Sequence, residues 1–426
     1  MSLSNAISPW PVYSAEEIDA VSNVLMSGNV NFWTGSECKN FEREFALFVE
    51  SKFAIALANG TVALETALVA LGLGSGDEVI VTSRTFIASV ASILSVGAIP
   101  VFADVEVCSQ NISARTVEKA LSSRTRAIIC VHLNGWPCDM DPIMALARKH
   151  ELFVIEDCAQ AHGARYRGQS VGSIGHVGAW SFCQDKIITT GGEGGMVTCN
   201  DEAIWRAMWS YKDHGKSYAA VFEREHPPGF RWVHESFGSN GRMTEMQAAI
   251  GRIQLRRIND WTVARTSNAH AIRQAILPFA GRDGIVRVPE LRCEGCPLLQ
   301  GEHCCSCVHA YYKFYAFLRP ERLSDEWSRD MIVEEFNNRG VPCYTGSCSE
   351  VYLEKAFDTT NFRPKDRLPV AKELGETSLL FLIHPTLTTA EVKTFCTVIY
   401  EVFTKIFISV NEDSKSLKMR NYRSDI

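Results

Sequence analysis

Lys186 closes the stretch Ser181-Phe182-Cys183-Gln184-Asp185-Lys186, which leaves an apolar run and enters Thr189-Thr190-Gly191-Gly192-Glu193-Gly194-Gly195. A lysine at a buried strand end loses its charge readily, because desolvation disfavours the ammonium, and the neutral amine is the nucleophile that forms a C=N bond with an aldehyde. The glycines after it let backbone pass close to a flat ligand. Asp157 ends a second apolar run, Phe153-Val154-Ile155-Glu156-Asp157, with Gln160 and His162 on the loop that follows. A carboxylate there can keep a pyridine nitrogen protonated so that the ring accepts electrons, and Gln160 can hydrogen-bond a ring oxygen. Ala58-Asn59-Gly60-Thr61 opens a helical stretch from Val62 to Leu71. Unpaired N–H groups and a hydroxyl at a helix start make an anion site, to which the Ser181 hydroxyl can add. Phe86 comes just after the run ending at Val81 and offers an aromatic face.

Each residue also has a plainer reading: a surface lysine, a strand-end acid or helix cap, an ordinary capped helix, a core phenylalanine, and for His162 a structural imidazole. Together they supply an amine for an aldehyde, an acid for a ring nitrogen, a stacking face and a phosphate cup. Those are the four requirements of pyridoxal 5'-phosphate (PLP).

The elements that would position them alternate. Short apolar runs at Glu78–Val81, Ile99–Phe102, Ala127–Val131, Leu152–Ile155, Ala179–Phe182 and Gly195–Thr198 read as strands, and Asp141–Lys149 reads as helix. Alternation of this kind gives an α/β fold with a mostly parallel sheet covered on both faces, and ligands bind beyond the carboxyl ends of such strands. A helical pattern resumes near Met243 and continues to about Leu277. A smaller α+β C-terminal portion follows, with a strand near Tyr311–Leu318 and helices near Arg329–Asn338 and Thr389–Lys405. The expected division is a large cofactor-binding domain over 1–280, a Cys-rich insertion over 281–310, a small domain over 311–408 and a polar tail over 409–426.

The 426 residues suit two fused domains. Lys and Arg number 43 against 49 Asp and Glu, a net charge of -6 that provides no basic field for nucleic acid. No apolar run reaches the roughly 18 residues that span a bilayer, and Met1–Pro11 lacks the pattern of a secretory signal. The expected location is the cytoplasm, where most of the 15 cysteines would be reduced core thiols.

Four segments in this order are similar to the DegT/StrS family of sugar aminotransferases: Asn59–Leu64, Glu156–Ala164, Ser181 to Lys186, and Asn240–Thr244 with Gln247-Ala248-Ala249 and Gly251. The likeness runs from about Pro9 to Lys405. It implies the aspartate aminotransferase fold (PLP-dependent fold type I), a seven-stranded large-domain sheet, and transfer of an amino group from L-glutamate to a nucleotide-linked keto sugar. It also implies the Schiff base at Lys186, the pyridinium partner at Asp157, the ring-oxygen contact at Gln160, the phosphate cup at Gly60, Thr61 and Ser181, and stacking at Phe86. Asn240 resembles the asparagine that reaches the neighbouring subunit's cofactor phosphate, which implies a homodimer with shared sites. Trp33-Thr34-Gly35 resembles a family loop near the site. A family branch that dehydrates the sugar carries histidine at the lysine position, so Lys186 favours amino transfer; a PLP-binding regulator without turnover is the other alternative. Where many members carry a His-Tyr-x-x-Leu-His segment, this chain reads Cys343-Tyr344-Thr345-Gly346-Ser347-Cys348-Ser349. The sugar, the ring carbon aminated and the nucleotide therefore stay open.

Cys293-x-x-Cys296, then seven residues, then Cys304-x-x-Cys307 has the paired spacing of a four-thiolate zinc site. A reduced loop without metal is the rival reading.

Overall fold

The computed structural model describes residues 7–290 and 306–424. Two helices, α1 (Ala15–Ser27) and α2 (Glu37–Phe48), precede β1 (Phe53–Leu57). Then come α3 (Gly60–Ala70), β2 (Glu78–Thr82), α4 (Ala88–Ser95), β3 (Ile99–Ala103), α5 (Ala114–Glu118), β4 (Thr125–Val131), α6 (Met140–Lys149) and β5 (Phe153–Asp157). A short hairpin of β6 (Arg165–Tyr166) and β7 (Gln169–Ser170) leads to β8 (Val177–Ser181) and β9 (Gly195–Cys199).

Seven of these strands form one sheet in the order β1-β9-β8-β5-β4-β2-β3. The pairings among β8, β5, β4, β2 and β3 are parallel, and β9 runs against both its neighbours. Helices α4, α5 and α6 make the crossovers among β2, β3, β4 and β5, and the segment holding the β6–β7 hairpin carries the chain from β5 to its parallel neighbour β8. Every residue of β2, β8 and β9 is buried, as expected of strands covered on both faces. The adjacent strands β8, β5, β4 and β2 therefore open their carboxyl ends side by side. The sequence reading missed β1, a short strand paired antiparallel with β9.

Beyond β9 lie α7 (Glu202–Lys212), α8 (Tyr218–Phe222) and the 32-residue α9 (Glu245–Ile276). Thr244 caps α9 and exchanges hydrogen bonds with Gln247 in a capping box. The first half of α9 packs Ala248, Leu255 and Ile258 against Phe41, Phe45, Trp180 and Phe182. Its far end gives Ala269, Ile272 and Ile276 to a second core with Phe314, Phe336, Phe381 and Phe403. One helix thus serves both cores. The second core covers an antiparallel sheet of β10 (Val286–Arg287), β11 (Phe314–Leu318), β12 (Cys343–Tyr344) and β13 (Ser378–Phe381), ordered β10-β11-β13-β12. It carries α10 (Arg329–Asn338), α11 (Pro369–Thr377) and α12 (Thr389–Ser424). The residues read as a polar tail continue α12.

Cys293, Cys296 and Cys304 lie outside the described residues. Cys307 is buried, and its sulfur accepts the Arg167 N–H at 3.2 Å. The described cysteines other than Cys307 are free thiols. Among the described residues no helix is long and apolar enough to cross a membrane.

Candidate active site

A cavity of about 900 Å³ opens at the carboxyl ends of β2, β4, β5 and β8. Asp157 lies in its floor, 6% exposed. The Ser89 hydroxyl donates to its Oδ2 at 2.8 Å and the Ala159 N–H to its Oδ1 at 3.1 Å. Burial raises this carboxyl above the ordinary aspartate value, against the opposing pull of these two donors and of Lys186. Glu156, the neighbour on the strand, points the other way, as the two-residue repeat of a strand requires. It accepts N–H groups from Gly172 (2.9 Å), Ile174 (2.9 Å) and Gly175 (2.7 Å) and a bond from His132 Nε2 at 3.0 Å. His132 Nδ1 accepts the Cys138 N–H at 3.0 Å, which assigns the ring proton to Nε2. Cys158 completes a buried His–Glu–Cys group close enough to hold an ion. Both imidazole nitrogens and the carboxylate are already committed to hydrogen bonds, so this group is a structural brace behind β5.

Lys186 stands across the floor, its side chain 17% exposed. Its Nζ is 3.6 Å from Asp185 Oδ1 and 5.3 Å from the centre of the Tyr312 ring. The Tyr312 hydroxyl donates to Asp185. Burial pushes the Asp185 carboxyl up, but the Lys186 charge and the Tyr312 hydroxyl outweigh it and hold it below the usual value. Lys186 is also anchored through its backbone: its carbonyl accepts the Trp10 indole N–H at 3.0 Å and its N–H reaches the Cys183 carbonyl at 3.1 Å.

The helix α3 begins at the cavity. Asn59 Oδ1 accepts the Val62 N–H at 2.9 Å, and the Asn59 carbonyl accepts the Ala63 N–H at 3.1 Å. The N–H groups of Gly60 and Thr61 have no acceptor among the described residues, so they remain available to an anion. A Cβ on Gly60 would fall 2.6 Å from Ser181 Cβ, so only glycine brings this helix start against the end of β8. Phe86 lines the cavity at 69% exposure, presented to the cavity and not to the core. Gln160 Oε1 accepts the Asn134 N–H at 2.7 Å, which leaves its NH2 to donate. These parts fit PLP: an amine, a buried acid, an aromatic face and an anion cup line one space of sufficient size.

Asn240 is exposed, bridges to Asp213 and does not line this cavity. Trp33 does not line it either. Its ring meets Phe32, Trp209, Phe222 and the Lys216 ammonium. His162 is fully buried between Trp180 and Phe182, and burial lowers it to about 3, so it is a neutral packing residue.

The chain matches the DegT/DnrJ/EryC1/StrS aminotransferase family over residues 11–400. It belongs to that family. It is 39% identical over 371 residues to dTDP-3-amino-3,4,6-trideoxy-alpha-D-glucose transaminase of Streptomyces venezuelae, covering 87% of this chain and 88% of that one. It is 47% identical over 225 residues to GDP-perosamine synthase of Caulobacter vibrioides, a match that covers 53% of this chain and spans 58% of that enzyme's length. An aminotransferase from Psychrobacter cryohalolentis superposes with a TM-score of 0.90 at 60% identity, covering 94% of this chain and 99% of the other. DesV of S. venezuelae, solved in complex with a ketimine intermediate, superposes at 0.76 with 30% identity, covering 91% and 94%. The fold is that of PLP-dependent aminotransferases.

For this family member the far wall of the cavity held the surprises. Tyr312 and Lys313 come from the segment just before β11 and Tyr315 from β11 itself, and Tyr344, Ser347 and Cys348 from β12 and the loop after it. The Ser347 N–H donates to the Tyr315 hydroxyl oxygen at 2.9 Å. The Thr85 N–H donates to the Cys348 carbonyl at 3.1 Å, and the Val351 N–H to the Ser83 carbonyl at 2.9 Å, so this loop is tied to the segment bearing Phe86. Sequence reasoning also missed Ser89 and Asp185. The polar triplet Tyr311-Tyr312-Lys313 at the head of an otherwise apolar strand was the signal available for the wall. No local feature singled out Ser89.

Proposed function

We propose that this chain is a PLP-dependent aminotransferase that moves an amino group from L-glutamate to a nucleotide-linked keto-deoxysugar, giving an amino sugar for polysaccharide or glycoconjugate synthesis. The observation that carries the reading is the convergence of Lys186, Asp157 and the Gly60–Thr61–Ser181 cup on one cavity. The relatives' names, GDP-perosamine synthase and a dTDP-amino-sugar transaminase, support the sugar class. PLP, when bound, supplies an electron sink for the carbanion formed at the amino donor's Cα.

Each residue then has a task. With PLP bound, Lys186 would hold the cofactor through its amine, and once a donor took its place the freed Lys186 Nζ would move the proton at the donor's Cα. Asp185, held by Tyr312, keeps that amine over the floor. Asp157 would accept from the ring N–H and favour the cationic ring. Gly60, Thr61 and Ser181 would hold the phosphate, Gln160 the ring oxygen, and Phe86 would cover one face. The same residues would serve the keto sugar in the second half of the reaction.

The working unit in this reading is a homodimer in the cytoplasm. Asn240 ends a segment that exposes Phe230, Trp232 and Phe237 at 77, 82 and 101%, an apolar surface that a second copy would cover while placing Asn240 at its partner's cofactor phosphate. The four-thiolate zinc site is a separate proposal, decided by metal stoichiometry in protein purified without chelator.

One experiment separates an aminotransferase from a PLP-binding regulator and from a sugar dehydratase. Reconstituted protein mixed with L-glutamate loses the visible absorbance of the Lys186-linked cofactor, and a nucleotide-linked keto sugar restores it with formation of an amino sugar. A colourless protein that takes up no PLP, and shows no adduct on Lys186 after borohydride, overturns the reading.

A further inference from the structure

Two cationic side chains line the cavity, Lys186 and Lys313, against four carboxylates, Glu65, Asp157, Asp185 and Glu193. In the proposed reaction Lys186 spends its amine on C=N chemistry and proton transfer, so it cannot serve as a standing charge. Lys313 is then the one cationic side chain that the described lining residues keep available to a ligand there.

Its position is fixed by unusual backbone. Tyr311 has φ +48°, outside strand geometry. β11 therefore starts at Phe314, later than the apolar pattern suggests. The Tyr312 N–H donates to the Asn134 carbonyl at 3.0 Å and the Lys313 N–H to Asn134 Oδ1 at 2.9 Å. From the other side, the buried Arg265 guanidinium donates to the Tyr312 carbonyl at 3.2 Å. Asn134 follows the end of β4, so the start of a small-domain strand is stitched directly to the large sheet. The Lys313 ammonium lies 4.8 Å from the centre of the Tyr312 ring and meets no carboxylate at salt-bridge distance among the described residues. The nearest acid in electrostatic terms, Asp185, is already engaged by Lys186 and Tyr312. Burial, reinforced by Arg265, lowers the Lys313 amine to about 8. A half-buried ammonium held without a counter-ion gains most from an anion that arrives with the ligand.

Lys186 and Lys313 flank the same Tyr312 ring, at 5.3 and 4.8 Å from its centre. An anion seated by Lys313 is thus close to the reacting atoms. In an amino acid the α-carboxylate is bonded to the reacting carbon itself. In a nucleotide-linked sugar the diphosphate sits at C1, several bonds from an aminated C3 or C4. We infer that Lys313 seats the α-carboxylate of the amino donor, fixing its Cα beside Lys186. This assignment rests on the aminotransferase reading and adds to it the residue that recognises the donor.

The test compares reconstituted wild type, Lys313→Gln and Lys313→Arg in the two half-reactions separately. PLP uptake, followed by absorbance, reports whether each variant folds and forms its cofactor site, and it stays as in wild type. Titration with L-glutamate reads the loss of cofactor absorbance. For Lys313→Gln the half-saturating L-glutamate concentration rises by about tenfold or more, the factor expected for one charge-assisted bond, and Lys313→Arg recovers most of it. 2-Methyl-L-glutamate, which has no α-proton to lose, moves the cofactor band without abolishing it, so the concentration dependence of that spectral shift reads binding alone and changes by the same factor. The aminated form of each variant reacts with a nucleotide-linked keto sugar as wild type does. A Lys313→Gln protein with wild-type donor saturation overturns the assignment, as does a defect confined to the sugar half-reaction, which would place the diphosphate there instead. A wild-type protein that takes up PLP but keeps its absorbance with L-glutamate removes the aminotransferase reading itself, so the two failures are distinguishable.

Discussion

At the cavity floor Asp157 takes two hydrogen bonds at 6% exposure, and Glu156 beside it takes four with its side chain fully buried. On the opposite wall Tyr344 is 51% exposed, and the exposed Cys348 side chain meets Glu354 Oε1 through its sulfur at 3.9 Å. The floor comes from the ends of adjacent parallel strands, so neighbouring loops meet there by topology alone. The wall comes from β11, β12 and the loop after β12, and it meets the floor through a few contacts such as Thr85 to Cys348 and Lys313 to Asn134. A saturated, buried network costs several kcal/mol to disturb, whereas an exposed side chain with one weak partner costs little. The floor is therefore suited to holding one cofactor in one geometry, and the wall can change with the substrate while the chemistry stays the same.

That contrast is tested most severely at Lys186. Lys186→Ala should abolish turnover, because no other described amine faces the floor from the large domain. Full activity in the variant would mean that the floor is not the reacting centre. Asp157→Asn keeps the shape and removes the charge. It should lower turnover by roughly 10²–10³-fold, the usual cost of losing a preorganised electrostatic partner, while PLP uptake persists. Equal turnover in Asp157→Asn and wild type would reduce Asp157 to a packing residue whose hydrogen bonds to Ser89 and Ala159 are its whole purpose.

The same contrast explains what could be read from the residues alone. Lys186, Asp157, Gly60, Thr61, Ser181, Gln160 and Phe86 each sit directly after an apolar run or at a helix start, and local order in the chain marks such places. All seven line the cavity. Asn240 and Trp33 do not: Asn240 bridges to Asp213, and the Trp33 ring packs among Phe32, Trp209 and Phe222. Tyr312, Lys313 and Tyr315 are marked locally only by the polar triplet that heads an apolar strand, because the turn at Tyr311 depends on Arg265 and Asn134, 46 and 177 residues away in sequence. β1 was missed for a similar reason, since its five residues become a strand by pairing with β9.

Gly60 probes the floor where it depends on close approach. In Gly60→Ala the new Cβ would meet Ser181 Cβ at 2.6 Å, so helix α3 or the end of β8 has to shift. Overpacking of this kind costs about 1–3 kcal/mol, and the shift should weaken PLP binding before it affects the rate at saturating cofactor. Cofactor titration and thermal unfolding read the two effects separately. Wild-type PLP affinity in this variant would show that the helix start does not hold the phosphate.

The smallest effect is expected on the wall. The Tyr315 hydroxyl accepts the Ser347 N–H at 2.9 Å and lies 3.1 Å from the Ser347 hydroxyl, which makes it one side-chain tether of the loop that carries Ser347 and Cys348. Tyr315→Phe removes the tether and leaves the ring, its packing against Phe317 and the Arg84 guanidinium over its face. A neutral hydrogen bond is worth about 1 kcal/mol, so KM for the nucleotide-linked sugar should rise only about fivefold. PLP uptake and the donor half-reaction should not change, because neither Lys186 nor Asp157 touches this loop. A loss of cofactor affinity in Tyr315→Phe would show that floor and wall are one cooperative unit and would break the division between them; a change confined to the sugar arm sharpens it, since it would place substrate reading in a segment where this chain departs from its family's pattern.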